Sequence, residues 1–220
     1  MGGHALSRLP TLSSAFVTPS DSVAAAADPV AALRAATHGI HQQLDSALPL
    51  AAPDASLPDY VRHLQAVTWW LGALAPVWTT VGVPAEWPGL QGRRLARAEA
   101  DLQDAHAPAL APTFHDTAAA HALRAGAAAE PLAYAWGLAY VVEGSQLGGA
   151  MLHRRLQARL APHPLRYLQG DAAVGARWRT FMAELRAAVR TPAETAAAVR
   201  GAVAGFDALV GRFERMEVLA

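Results

Sequence analysis

The sequence predicts an all-α, single-domain protein. Apolar residues make up 53% and charged residues 16% of the 220 positions, and alanine, the strongest helix former, dominates. Apolar residues recur at three- and four-residue spacing, as in Tyr60, Leu64, Val67, Leu71 and Leu74. No alternating strand pattern and no Asn-Gly hairpin signal stands out. The length suits one domain, or at most two small ones, with enough chain for a full core.

Residues 1 to 27 are rich in Ser, Ala, Pro and Gly, show little periodicity, and read as a mobile tail. They lack the basic segment and compact apolar run of a signal peptide. The helical domain takes up 28–220. Asp28-Pro29 opens the first helix, with Asp as N-cap and Pro at N1. It runs to about Ser46, where Pro49 and Pro53 break it. A second helix starts near Pro58-Asp59 and ends near Thr79. Val81 to Gly89 is a Pro/Gly loop, followed by a short helix from Leu90 to Asp104 that is charged on one side. Pro108 and Pro112 bound another loop, and Thr117 to Ala128 is helical. Pro131 starts a long helix reaching about Leu160, ended by His163-Pro164. Asp171 to Val189 is helical. Thr191-Pro192-Ala193-Glu194 is a capping box with Pro at N1, and the last helix runs from there to about Met216. No internal repeat is visible.

Composition excludes several classes. There is no cysteine, hence no disulfide, thiolate metal site or cysteine nucleophile. The formal net charge is zero, against a general nucleic-acid binder. No run of about 20 apolar residues free of charges occurs, against a membrane span, and a cytoplasmic setting is expected. All 18 cationic side chains are arginine. Any anion bound through a side-chain cation must therefore meet a guanidinium fork or a histidine.

Two features carry chemistry. The first is Gly144-Ser145-Gln146-Leu147-Gly148-Gly149, inside the long helix. Each helix-interior glycine costs about 1 kcal/mol relative to alanine. At about 100° per residue, Gly137, Gly144 and Gly148 share one face, which Ala133 extends. Such a strip admits either a neighbouring helix or a flat ligand against the backbone. The second lies on helix 1, where Leu33, Thr37, Ile40, Leu44 and Leu48 share a face. His41 sits at the edge of that face, while His38 falls in solvent. Asp45, four residues after His41, can take the ring's Nδ1 proton and leave Nε2 free for a metal. The same spacing also makes an ordinary helix-surface pair. A ferritin-like di-iron site is absent, because no helix carries the Glu-x-x-His pairs it needs.

Taken together these segments resemble the heme oxygenase family, of the soluble bacterial type. Residues 33–41 (LRAATHGIH) are similar to the first-helix pattern that ends in the proximal ligand. Residues 140–149 (YVVEGSQLGG) resemble the kinked, Gly-rich distal helix. Residues 93–102 (RRLARAEADL), Arg177-Trp178-Arg179 and 191–213 resemble later segments, so the likeness spans about 28–216. Animal members carry an aspartate right after the first distal glycine; here that position is Ser145.

The resemblance implies a helical bundle with heme between the proximal and distal helices. His41 is then the iron ligand and Asp45 its acidic partner. Gly144, Ser145 and Gly148 form the catalytic distal face. Arg34, Arg177 and Arg179 are candidates for the propionates, and Tyr140, Gly149 and Phe206 for other contacts with heme. Heme is both cofactor and substrate, O2 the co-substrate, and the products are biliverdin, CO and Fe2+. The implied partners are an external electron donor, such as a ferredoxin or a flavin reductase, and a biliverdin-using phytochrome. The rival reading is a heme carrier or sensor with the same pocket and no ring opening.

Overall fold

The computed structural model describes residues 28–80, 82–108 and 118–219. The expected tail and most of the loop after Pro108 lie outside them. Among the described residues the protein is helical, without a strand. The elements are α1 (Pro29–Ala47), a 3-10 turn (Pro49–Ala51), α2 (Leu57–Thr80), α3 (Glu86–Asp104), α4 (Ala118–Ala129), α5 (Pro131–Leu156), α6 (Arg166–Gln169), α7 (Val174–Ala188) and α8 (Pro192–Arg215).

The helix starts follow the capping chemistry. The Asp28 carboxylate accepts from the Val30 N–H at 3.2 Å. At α8 the Thr191 hydroxyl accepts from the Glu194 N–H, while the Glu194 carboxylate accepts from the Thr191 N–H. Each such cap contributes about 1 kcal/mol. Pro131 and Pro192 occupy first-turn positions, where the missing N–H costs nothing.

Several boundaries differ from expectation. Helix α3 begins at Glu86 rather than Leu90, so it takes in Trp87-Pro88-Gly89. Pro88 falls in the first turn, and Trp87 is anchored edge-on to Trp78 at 5.6 Å and Trp136 at 4.7 Å. Such aromatic contacts outweigh a loop-like local composition. Helix α5 stops at Leu156, four residues early, and α7 starts at Val174 rather than Asp171. The four-residue α6 is unexpected. Its position is set by Asp101, which is fully buried and accepts from the Tyr167 N–H at 2.9 Å, the Tyr60 hydroxyl at 2.6 Å and Arg166 at 3.2 Å.

Helix α5 runs through the core and packs most extensively on α8. The two backbones nearly touch: a Cβ on Gly137 would stand 1.8 Å from the Ala198 carbonyl oxygen, and one on Gly201 would stand 2.1 Å from that of Tyr134. Helix α1 packs on α8 and α7, and α2 covers α3, α4 and α8. Trp70, Tyr60, Leu33, Leu64 and Phe213 are fully buried. Trp69, Trp78 and Trp136 are buried as well, as core packing predicts.

Candidate functional site

Leu33, Thr37 and Leu44 fix the inner face of α1. His41 and Asp45 stand on its rim, with side chains 63% and 70% exposed. The His41 Nδ1 lies 3.0 Å from the Asp45 carboxylate. A carboxylate can only accept, so Nδ1 donates; the tautomer this fixes in the neutral ring carries its lone pair on Nε2. Phe206 of α8 meets the His41 ring edge-on, at 6.2 Å between centroids. His38 is exposed.

Helix α8 links this rim to α5. A Cβ on Gly205, next to Phe206, would meet Leu138 at 3.2 Å and Val141 at 3.6 Å. The Gly205 carbonyl accepts from the Trp70 indole N–H at 2.9 Å. Gly205-Phe206 therefore touches α5 through one residue and His41 through the next.

The glycine strip divides into two. Gly137 is consumed by the α5–α8 crossing, the close-packing alternative. Gly144 lies under the Trp178 ring of α7, whereas Gly148 is exposed. A Cβ on Gly144 would make only ordinary contact with the Trp178 ring, at 3.7 Å, and among the described residues nothing lies within 4 Å of one on Gly148. Met151, three residues further along this face, is 65% exposed. Gly149 points elsewhere: a Cβ there would lie 3.7 Å from the Leu168 carbonyl oxygen of α6. The Ser145 hydroxyl donates to the Val142 carbonyl at 2.7 Å, within its own helix. Tyr140 is half-buried, its ring 5.4 Å from that of Trp178.

The three candidate arginines differ. Arg34 and Arg179 are exposed. Among the described residues neither has an acidic partner within ion-pair distance. Arg34 precedes His41 by seven residues, which puts both on one side of α1. Arg177 is committed elsewhere. Its Nε donates to Glu143 at 2.9 Å, and its Nη1 pairs with Asp171. Burial works against its charge, but Glu143 and Asp171 prevail and hold the guanidinium above its ordinary value.

Sequence reasoning assigned no role to Glu143, Met151 or Trp178. Glu143 carried a signal: it is the lone charged residue between Pro131 and Leu152. A carboxylate in so apolar a helix needs built-in partners. Among the described residues no cluster of three or more His, Asp or Glu that could hold a metal ion occurs, and no helix is long and apolar enough to cross a membrane.

The described residues thus form an all-helical bundle with a carboxylate-partnered histidine at its rim and a glycine-bearing face on its central helix. Over 73 residues the chain is 41% identical to a curated protein named "Heme oxygenase" from Xanthomonas campestris pv. campestris (strain 8004). That stretch is 32% of this chain and 44% of the relative, less than half its length. No family model matches the chain.

Proposed function

We propose that the protein is a heme oxygenase, which binds heme and, with O2 and an external electron donor, converts it to biliverdin, CO and Fe2+. The observation that carries this reading is the His41–Asp45 pair: an exposed imidazole whose Nδ1 proton is engaged and whose Nε2 is free. Such a pair would supply a nitrogen ligand to a heme iron, with the carboxylate fixing the tautomer. The exposed backbone at Gly148, the Trp178 ring beside Gly144 and the exposed thioether of Met151 fit a flat apolar ligand beside α5. Bound heme would supply the O2 site and the redox chemistry.

The protein's own residues divide the remaining work. His41 would hold the iron through Nε2, and Asp45 would keep the imidazole oriented. Gly144 and Gly148 keep side chains away from the reacting face. The Ser145 hydroxyl, which donates to the Val142 carbonyl and accepts from the Gln146 side chain, would adjoin that face. Arg34 and Arg179 are free to grip the two propionates, each through a guanidinium fork. Phe206 and Tyr140 flank the ligand with aromatic surface. Gly149 faces α6, where a methyl would also fit at ordinary contact distance.

The test is spectroscopic. Hemin added to the protein gives a histidine-ligated Soret band, and reductant under air then converts it to a biliverdin spectrum. A Soret band that forms and persists under turnover conditions leaves a carrier or sensor. Failure to form it overturns both readings.

A further inference from the structure

Glu143 is buried in an apolar stretch of α5, yet ion pairs reach it from two other helices. Its Oε1 accepts from Arg94 of α3 at 2.5 Å, and its Oε2 accepts from Arg177 of α7 at 2.9 Å. Arg94 is itself buried. Arg177 also pairs with Asp171, which takes a further hydrogen bond from Arg97 at 2.6 Å. Buried ion pairs are poor glue, because desolvation offsets most of their attraction and apolar replacements often do as well. What such a pair supplies is direction.

The direction here is specific. Glu143 meets Arg177, and the next residue of each helix forms the next contact. The Trp178 ring lies 3.7 Å from the Cβ position of Gly144. The two contacts are successive rungs between α5 and α7. Trp178 is then wedged between Tyr140 at 5.4 Å and Phe181 at 5.7 Å. A slip of α7 along α5 would break the charged rung and take the indole off the glycine.

We propose that Glu143 is a positioning residue that sets the register of α7 on α5, and that the Trp178 it places is a wall of the ligand site beside Gly144. The proposal rests on the heme reading for the identity of the ligand, a planar tetrapyrrole. It also accounts for Arg177: by engaging that guanidinium, Glu143 keeps it off the ligand's carboxylates and leaves Arg179 as the α7 residue that meets them.

The test uses the full chain and zinc protoporphyrin, a redox-inactive probe. Two quantities are read. One is acrylamide quenching of Trp178 in the ligand-free protein, taken as the difference from a Trp178→Phe background. The other is porphyrin affinity, from quenching of tryptophan emission. Glu143→Gln should raise Trp178 accessibility and weaken porphyrin binding at least tenfold. Arg177→Met should do the same from the other side, and the double variant should add little. Glu143→Asp, which keeps the charge but shortens the arm, serves if the glutamine variant does not fold, and should shift both readouts in the same direction. Arg200→Ala, which breaks an exposed pair with Glu130, should change neither. Wild-type values of both quantities in the folded Glu143 and Arg177 variants would overturn the inference. If the wild type does not bind the porphyrin, the proposed function falls and Trp178 loses its ligand role. The acrylamide result then still decides whether Glu143 sets the register.

Discussion

Gly137 and Gly148 lie on one face of one helix, and the structure gives alanine substitutions at the two sites opposite signs. At Gly137 the new methyl would stand 1.8 Å from the Ala198 carbonyl oxygen and 2.8 Å from the Ala202 nitrogen. Both are backbone atoms, so no rotamer change relieves the clash. Restoring a contact of roughly 3.2 Å requires α5 and α8 to part by more than 1 Å along their main interface. Overpacking of that kind costs about 3 kcal/mol, the upper part of its usual range. Alanine's better helix propensity returns about 1 kcal/mol. The net loss is about 2 kcal/mol, or roughly 4–8 °C in melting temperature for a chain of this size. At Gly148 nothing among the described residues lies within 4 Å of the new methyl, so only the propensity gain remains. Gly148→Ala should raise the melting temperature of the ligand-free protein by about 2–4 °C while weakening hemin binding, because the methyl projects from the face assigned to the ligand. Thermal melts followed by far-UV circular dichroism, with a hemin titration alongside, read both effects. A Gly137→Ala protein that melts at or above the wild-type temperature would refute the packing argument. A Gly148→Ala protein that binds hemin as well as wild type would remove Gly148 from the site.

Three further outcomes are expected. His41→Ala should abolish the histidine-ligated heme spectrum and His38→Ala should leave it; the reverse result sinks the ligand assignment. His63 is buried against Phe213 at 5.3 Å, its Nδ1 without a partner among the described residues, and burial lowers its pKa from 6.5 to about 4. Its neutral form is compatible with the fold, so the associated stability is complete above pH 6.5 and falls as the pH drops towards 4, by about 3 kcal/mol in all at ~1.4 kcal/mol per pH unit; urea midpoints between pH 7.5 and 4.5 should fall less steeply for His63→Leu than for wild type, and parallel curves would contradict this. Arg179→Ala should keep iron ligation but change the ratio of biliverdin isomers, since peripheral carboxylate contacts alone stop the macrocycle turning about its axial bond, and about 1.4 kcal/mol changes an orientation ratio tenfold; an unchanged ratio and unchanged hemin affinity would exclude it.

The helices were legible because their ends are written in local chemistry. Asp28-Pro29 and Thr191-Pro192-Ala193-Glu194 specify caps that the structure forms as expected. The all-α class follows from apolar spacing, a property of the chain alone. The missed elements depend on distant partners. The start of α3 at Glu86 depends on Trp78 and Trp136 receiving Trp87. The short α6 depends on Asp101, which lies 66 residues from the Tyr167 N–H it binds. Neither partner is visible in a window of neighbouring residues.

For the site, periodicity identifies a face but not what lies against it. The glycine strip on α5 reads as one feature, yet Gly137 serves a helix crossing, Gly144 meets the Trp178 ring, and a Cβ on Gly148 meets nothing within 4 Å among the described residues. The close-packing alternative drawn from the sequence accounts for the Gly137 half of the stripe. The arginines of α7 show the same limit and also where more could have been read. Arg177 and Arg179 differ by about 200° around the helix, so they cannot both face one ligand. The buried residues of α7 are Phe181 and Leu185, and Arg177 extends that four-residue series inward by one turn. A cation on the core stripe of a helix requires a buried anion on a neighbouring one. The long helix between Pro131 and Leu152 offers a single carboxylate, Glu143. The pairing that holds α7 on α5 was therefore implicit in two apolar stripes, each interrupted by one charge of opposite sign.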